Sequence, residues 1–181
     1  MSVRATGEVR PERSVRATQK MHGRPLLIVG VGSPHGDDQA GWLAVDRLRP
    51  HLPVEVVAHK ASGGLDLLSL LEGHEELIVV DASAPAGHAG MLRTLEWPCP
   101  ELADSPALST HGMSLVESLR IAELLGCLPQ RVSLYTIEAN AASPGESVSD
   151  PVALALEKLV PLVLTDVKRR LPPADLVPSA E

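Results

Sequence analysis

Two adjacent carboxylates, Asp37 and Asp38, close a glycine-rich turn in the stretch Leu26-Leu27-Ile28-Val29-Gly30-Val31-Gly32-Ser33-Pro34-His35-Gly36-Asp37-Asp38-Gln39-Ala40-Gly41. A turn built only to bind phosphate would follow its glycines with Lys, Arg or bare backbone N–H groups. Here two negative charges stand where an anion would go. The loop suits a cation or acid/base work. Two further residues have similar placement: Asp81 ends the apolar run Leu77–Val80, and His111 precedes the amphipathic run Met113–Leu125. In parallel α/β sheets, functional groups collect outside the carboxyl ends of the strands. If the strands of Leu26–Val31 and Leu77–Val80 are neighbours, Asp38, Asp81 and His111 converge there although they lie far apart in sequence. Two carboxylates and one imidazole suit a divalent ion such as nickel, zinc, manganese or iron, with coordination positions left open.

Each of these residues also has a plainer reading. Asp81 alone reads equally as a helix cap or loop anchor, and His111 as a loop residue. Asp37 and Asp38 repel each other as neighbours, so one can cap the following helix and leave the other for chemistry, with Asp37 the better cap or turn residue. His35 and His88 are either extra groups at the same edge or solvated loop residues. His22, His51, His59 and His74 have no converging partner. Other constellations are missing from the sequence: there is no Gly-x-Ser-x-Gly elbow, no His-Glu-x-x-His helix and no Walker loop. The Gly30-x-Gly32-x-x-x-Gly36 spacing is not the dinucleotide fingerprint, and the acidic pair occupies the pyrophosphate's place. Ser33 as a nucleophile lacks a base.

To bring these residues together the chain must fold as alternating strands and helices. Leu26–Val31 is a continuous apolar run, as in a central strand covered on both faces. Helices are predicted over Ala40–Leu48, Leu65–Leu71 with Asp66 near its start, and Met113–Leu125, where Ser114 and Glu117 resemble a capping box. Strands are predicted over Val54–Ala58, Leu77–Val80, Met91–Leu95 and Val132–Ile137. The short connection before Met91 makes that strand an antiparallel edge. A last helix starts at Ser149-Asp150-Pro151 and ends on Lys168-Arg169-Arg170, a basic run suited to a helix C-terminus. Pro161 is expected to kink or interrupt it. The fold class is therefore α/β: a single three-layer domain, a mostly parallel five-stranded sheet with one antiparallel edge strand, and helices on both faces.

With 181 residues the chain has the size of one domain with a real core. It contains no Phe, two Trp and one Tyr, so Leu, Val, Ile and Ala must build that core, and base-stacking platforms for single-stranded nucleic acid are not expected. A net charge of −7 argues further against nucleic acid or an anionic membrane as partner. Cys99 and Cys127 are too few for a disulfide framework and read as inert thiols in a reducing compartment. No apolar run reaches the ~20 residues of a membrane span and no secretory leader opens the chain, so a cytoplasmic protein is expected. Residues 1–24 are rich in Arg, Ser, Thr and Pro and repeat Ser-Val-Arg-Ala-Thr at 2–6 and 14–18. They are expected to form a flexible tail, with Met21 as an alternative start. Residues 171–181, with Pro172, Pro173 and Pro178, are expected to be loose as well, leaving 25–170 as the domain.

These segments resemble a known family, the hydrogenase maturation endopeptidases that trim the C-terminus of the large subunit of nickel–iron hydrogenases. The family pattern Gly-x-Gly-Asn-x-x-x-x-Asp-[Asp/Glu]-x-x-Gly is similar to Gly30 through Gly41. Ser62-Gly63-Gly64 with Leu65, Leu68 and Leu71, the run Ile78-Val79-Val80-Asp81-Ala82, Ser109-Thr110-His111, Ile137-Glu138 and Ser149-Asp150-Pro151-Val152 extend the resemblance over about residues 26–165. It implies a peptidase whose metal-recognising residues are Asp38, Asp81 and His111. It also implies that nickel arrives already inserted in the hydrogenase large-subunit precursor, with no stored cofactor in the peptidase, which is expected to act as a monomer. Nickel would then certify an assembled active site before one peptide bond is cut, with Asp38 or Asp81 as the base. Ser33 departs from the family's Asn, and Gln39 stands where many members have glycine. Two other readings remain at this point: a non-catalytic metal-sensing chaperone for a metalloenzyme precursor, and an aspartate- or metal-dependent peptidase with another substrate.

Overall fold

The computed structural model describes residues 24–100, 113–140 and 145–171. Five strands form one sheet: β1 (Arg24–Val31), β2 (Val56–Ala61), β3 (His74–Ser83), β4 (Leu92–Trp97) and β5 (Arg131–Glu138). Their order is β2-β1-β3-β5-β4, with β1, β2, β3 and β5 parallel and β4 antiparallel on β5. This is the expected α/β sheet with its antiparallel edge, and the strands carrying the two acidic sites, β1 and β3, are direct neighbours. Among the described residues four helices flank it: α1 (Ala40–Leu48), α2 (Gly64–Leu70), α3 (Leu115–Leu125) and α4 (Asp150–Arg170).

The alternating side chains of the central strands supply two cores. Leu27, Val29, Leu77, Val79, Val132 and Leu134 pack with Leu67 of α2 and with Leu115, Leu119 and Ala122 of α3. On the other face, Leu26, Ile28, Ile78, Val80 and Ile137 pack with Ala44 and Leu48 of α1 and with Val152, Leu156, Leu159 and Val163 of α4. Both halves of the capping box at α3 form: Glu117 N–H donates to Ser114 Oγ at 3.1 Å, and Ser114 N–H donates to the Glu117 carboxylate at 2.8 Å. Cys99 is buried in the α2/α3 core, and the half-buried Cys127 thiol donates to the Ala122 carbonyl.

Several boundaries differ from the sequence reading. β2 starts at Val56, two residues late, because Val54 is 93% exposed and has no core to join. β3 runs three residues past Val80, so Asp81 lies inside the strand, in register with Thr136 of β5. Pro161 does not interrupt α4, which is one helix from Asp150 to Arg170. A mid-helix proline costs about 3 kcal/mol or more. Here Pro161 is on the exposed side, while Val152, Leu156, Leu159, Val163 and Val167 are buried against the sheet, each contributing roughly 1.5–3 kcal/mol. The packing term wins.

The proposed end segments, 1–24 and 171–181, fall almost entirely outside the described residues; Arg24 opens β1 and Leu171 packs against the α1/α4 core. No helix among the described residues is long and apolar enough to cross a membrane.

Candidate active site

Close backbone approach brings the first acidic loop onto the sheet. A Cβ at Gly41 would stand 2.1 Å from the Val31 carbonyl oxygen and 2.5 Å from that of Val80, so only glycine lets the first turn of α1 sit over the ends of β1 and β3. A Cβ at Gly32 would lie 2.0 Å from the Asp38 carbonyl oxygen. The loop is then tied by its main chain: Gly32 N–H donates to Ala61 O at 3.1 Å, Ser33 N–H to Asp38 O at 3.2 Å, and Asp38 N–H to His35 O at 3.1 Å. Trp42 adds an indole N–H bond to Ala61 O at 2.9 Å, locking α1 to the end of β2. Residues Gly36–Gln39 form a single 3-10 turn before α1, and neither aspartate caps that helix.

The two aspartates have separate tasks. Asp37 is 3% exposed and its carboxylate accepts three hydrogen bonds: from Asn140 N–H at 2.8 Å, from Ser149 N–H at 2.6 Å and from the Ser149 hydroxyl at 2.9 Å. It therefore joins the acidic loop to the end of β5 and the start of α4. Ser149, expected to cap α4 with its side chain, donates its hydroxyl to Asp37 instead. Asp37 is thus part of the framework, but it caps no helix: its partners lie at the end of β5 and the start of α4 rather than in α1.

Asp38 is half-buried and faces Asp81 electrostatically. Asp81 is 6% exposed, and its carboxyl is pushed up to about 8, chiefly because burial disfavours the charged form. The Ala82 backbone N–H opposes that rise, and the negative charge of Asp38 adds to it. The structure therefore brings Asp38 and Asp81 together at the carboxyl edge of the sheet. His111 lies outside the described residues. Among the described residues no group of three or more metal-ligand side chains is assembled, so the two carboxylates form the described part of the site. Their oxygens are hard donors suited to a divalent cation, and such a charge would relieve both the burial and the mutual repulsion that hold Asp81 protonated.

His35 and His88 are exposed loop residues, in keeping with the solvated reading. Glu138 has a role that sequence reasoning left unassigned. It is buried at the end of β5, and its Oε1 accepts from the backbone N–H of Ala86 at 2.7 Å and of His88 at 2.5 Å. These N–H groups, that of His88 foremost, hold its carboxyl below the ordinary glutamate range. Glu138 thereby folds the β3–β4 connection back over the edge that carries Asp81. The available signal was an acid directly after the apolar run Val132–Ile137.

The family model of HycI, hydrogenase maturation protease, matches residues 53–166, more than half of the chain. The chain belongs to the hydrogenase maturation protease family. It is a peptidase, which decides between the catalytic reading and that of a non-catalytic chaperone. The matched segment contains Asp81 and His111 and begins after Asp38. Among curated proteins, no sequence matches this chain.

The fold is also that of solved family structures. Hydrogenase maturating endopeptidase HybD from E. coli aligns with a TM-score of 0.69 at 22% identity, covering 80% of this chain and 93% of its own. The NiFe hydrogenase maturation protease HybD from Thermococcus kodakarensis aligns at 0.64 and 20% identity, covering 79% and 99%. A hydrogenase 2 maturation peptidase from a Thaumarchaeota archaeon aligns at 0.59 and 28% identity, covering 79% and 97%.

Proposed function

We propose that this maturation protease acts on a nickel-loaded hydrogenase large-subunit precursor, reads the inserted nickel through Asp38, Asp81 and His111, and hydrolyses one peptide bond to release a C-terminal peptide. The observation that carries the reading is the pairing of Asp38 with a buried Asp81 whose proton affinity is raised. Two carboxylates that repel each other, one in the turn after β1 and one in β3, are stabilised by an incoming divalent ion. The substrate supplies that ion as its own metal, and the peptidase stores none. Carboxylate and imidazole donors suit nickel among the first-row divalent ions. Once the precursor is seated, one of the two carboxylates takes a proton from the attacking water.

Processing assays on Asp38→Ala, Asp81→Ala and His111→Ala test the reading. Each substitution is expected to abolish release of the C-terminal peptide from nickel-loaded precursor while the folded circular-dichroism spectrum is kept. Normal processing by all three variants contradicts it.

A further inference from the structure

The loop that carries Asp38 also carries a polar group that no mechanism has yet used. Ser33 is 9% exposed, and its Oγ is buried with no hydrogen-bond partner among the described residues. Its backbone is not idle: Ser33 N–H donates to Asp38 O, fixing the residue against the main chain of the acid. The preceding Gly32 allows that contact, since any Cβ there would strike the same Asp38 oxygen. A buried hydroxyl with an uncommitted proton is costly in a folded protein, because the water it gave up is not replaced. Such groups in native structures call for an explanation, and a ligand that completes the bond is one.

The chemistry proposed for the site needs a donor of this kind. Asp38 and Asp81 supply acceptors and a base, but peptide hydrolysis also builds negative charge on the scissile carbonyl oxygen. We propose that the Ser33 hydroxyl donates a hydrogen bond to that oxygen as the charge develops, making Ser33 a catalytic residue of this site. The step rests on the peptidase reading above. Water adds to the carbonyl carbon and passes a proton to a site carboxylate, while the carbonyl π pair moves onto the oxygen, to which the Ser33 hydroxyl donates. The tetrahedral adduct then collapses, the C–N bond breaks, and the proton is returned to the departing amine. Ser33 keeps its own proton throughout and forms no covalent bond, unlike the nucleophilic role for which it has no base.

This assignment separates from a structural role by opposite signatures in one variant. Steady-state cleavage of nickel-loaded precursor by Ser33→Ala is expected to show kcat lower by about 10²- to 10³-fold, the usual loss for one oxyanion donor, with KM within about twofold of wild type. The melting temperature should be unchanged or higher, because alanine removes an unsatisfied buried hydroxyl. Ser33→Asn, which restores a donor, should recover most of the lost kcat. A lowered melting temperature in Ser33→Ala, a raised KM at unchanged kcat, or wild-type kinetics would each overturn the Ser33 assignment while leaving the peptidase reading in place. Failure of the wild-type protein to cleave nickel-loaded precursor overturns that reading, and this role with it.

Discussion

At the amino end of the sheet, Arg170 closes α4 with a side chain only 3% exposed, bonded to Asp166 at 2.8 Å and to Glu76 of β3 at 3.2 Å. Its guanidinium also donates to the Ser133 hydroxyl, and the Tyr135 hydroxyl donates to Asp166 at 3.0 Å. Burial and the facing Asp166 push the Tyr135 phenol above its ordinary range, so it stays a neutral donor. At the carboxyl end, Asp38 and Asp81 lie close enough to repel, and burial holds Asp81 near a pKa of about 8. One end of the sheet buries charge with its countercharge supplied by the chain. The other sets two acidic side chains against each other and buries one of them. A folded protein tolerates the second arrangement at a site of function, where local stability is given up for chemistry. Asp37 marks the boundary between the two regimes: it sits beside Asp38 in sequence, yet its three hydrogen bonds make it part of the framework.

The contrast can be broken from either end. The largest effect is expected for Asp81→Asn, which should reduce precursor cleavage by at least about 10³-fold in a single-turnover assay, as for loss of a general base or metal ligand. The same variant should become more stable than wild type at pH 8. An acid with a raised pKa binds more protons in the native state than in the unfolded chain between about pH 4 and 8, so its contribution to stability is present below that window and lost across it. Thermal unfolding at pH 5 and pH 8 should show the wild-type melting temperature falling more steeply with pH than that of the variant.

Arg170→Ala is the converse experiment. Among the described residues, removing the guanidinium leaves Asp166 with only the Tyr135 hydroxyl and Glu76 with only the exposed Arg131, and breaking a buried pair of this kind costs about 3–5 kcal/mol. Urea denaturation should register that loss, while cleavage at 25 °C by the remaining folded protein stays at the wild-type rate.

Asp37→Asn should be intermediate in stability and partial in activity. Weakening charge-assisted bonds to Ser149 and Asn140 costs roughly 1.5–3 kcal/mol, and loosening the loop that holds Asp38 should lower kcat without abolishing it. The smallest effect is expected for Asp38→Asn on its neighbour: without the Asp38 charge, the Asp81 pKa falls below its wild-type value, as NMR titration of the Asp81 carboxyl carbon would show. The direction is fixed by repulsion alone, and burial remains as the larger cause.

Much of this architecture could be read from sequence because it depends on local pattern. Apolar runs bounded by glycine marked β1 and β3, the Ser114–Glu117 spacing marked the start of α3, and the short connection before Met91 marked the antiparallel edge. The adjacency of Asp38 and Asp81 was legible only as a conditional, since it needed β1 beside β3, a fact of topology. What escaped the sequence reading depends on tertiary contact. Pro161 is tolerated because of the packing on the opposite face of α4. Asp37 looked like a cap for α1, but its partners lie more than 100 positions along the chain. Glu138 binds backbone N–H groups about 50 residues away, a task no local motif announces. Ser33 was weighed as a nucleophile because of its type, whereas its burial and its missing partner are properties of the folded loop.

The central claim is that the carboxyl-edge aspartates complete their site with a metal carried by the substrate. Mass spectrometry of one purified hydrogenase large-subunit precursor, incubated with this protein in nickel-loaded and nickel-free forms side by side, tests it most directly. The account predicts loss of a short C-terminal peptide from the loaded form and none from the nickel-free form. Equal cleavage of both forms, or of neither, would contradict it.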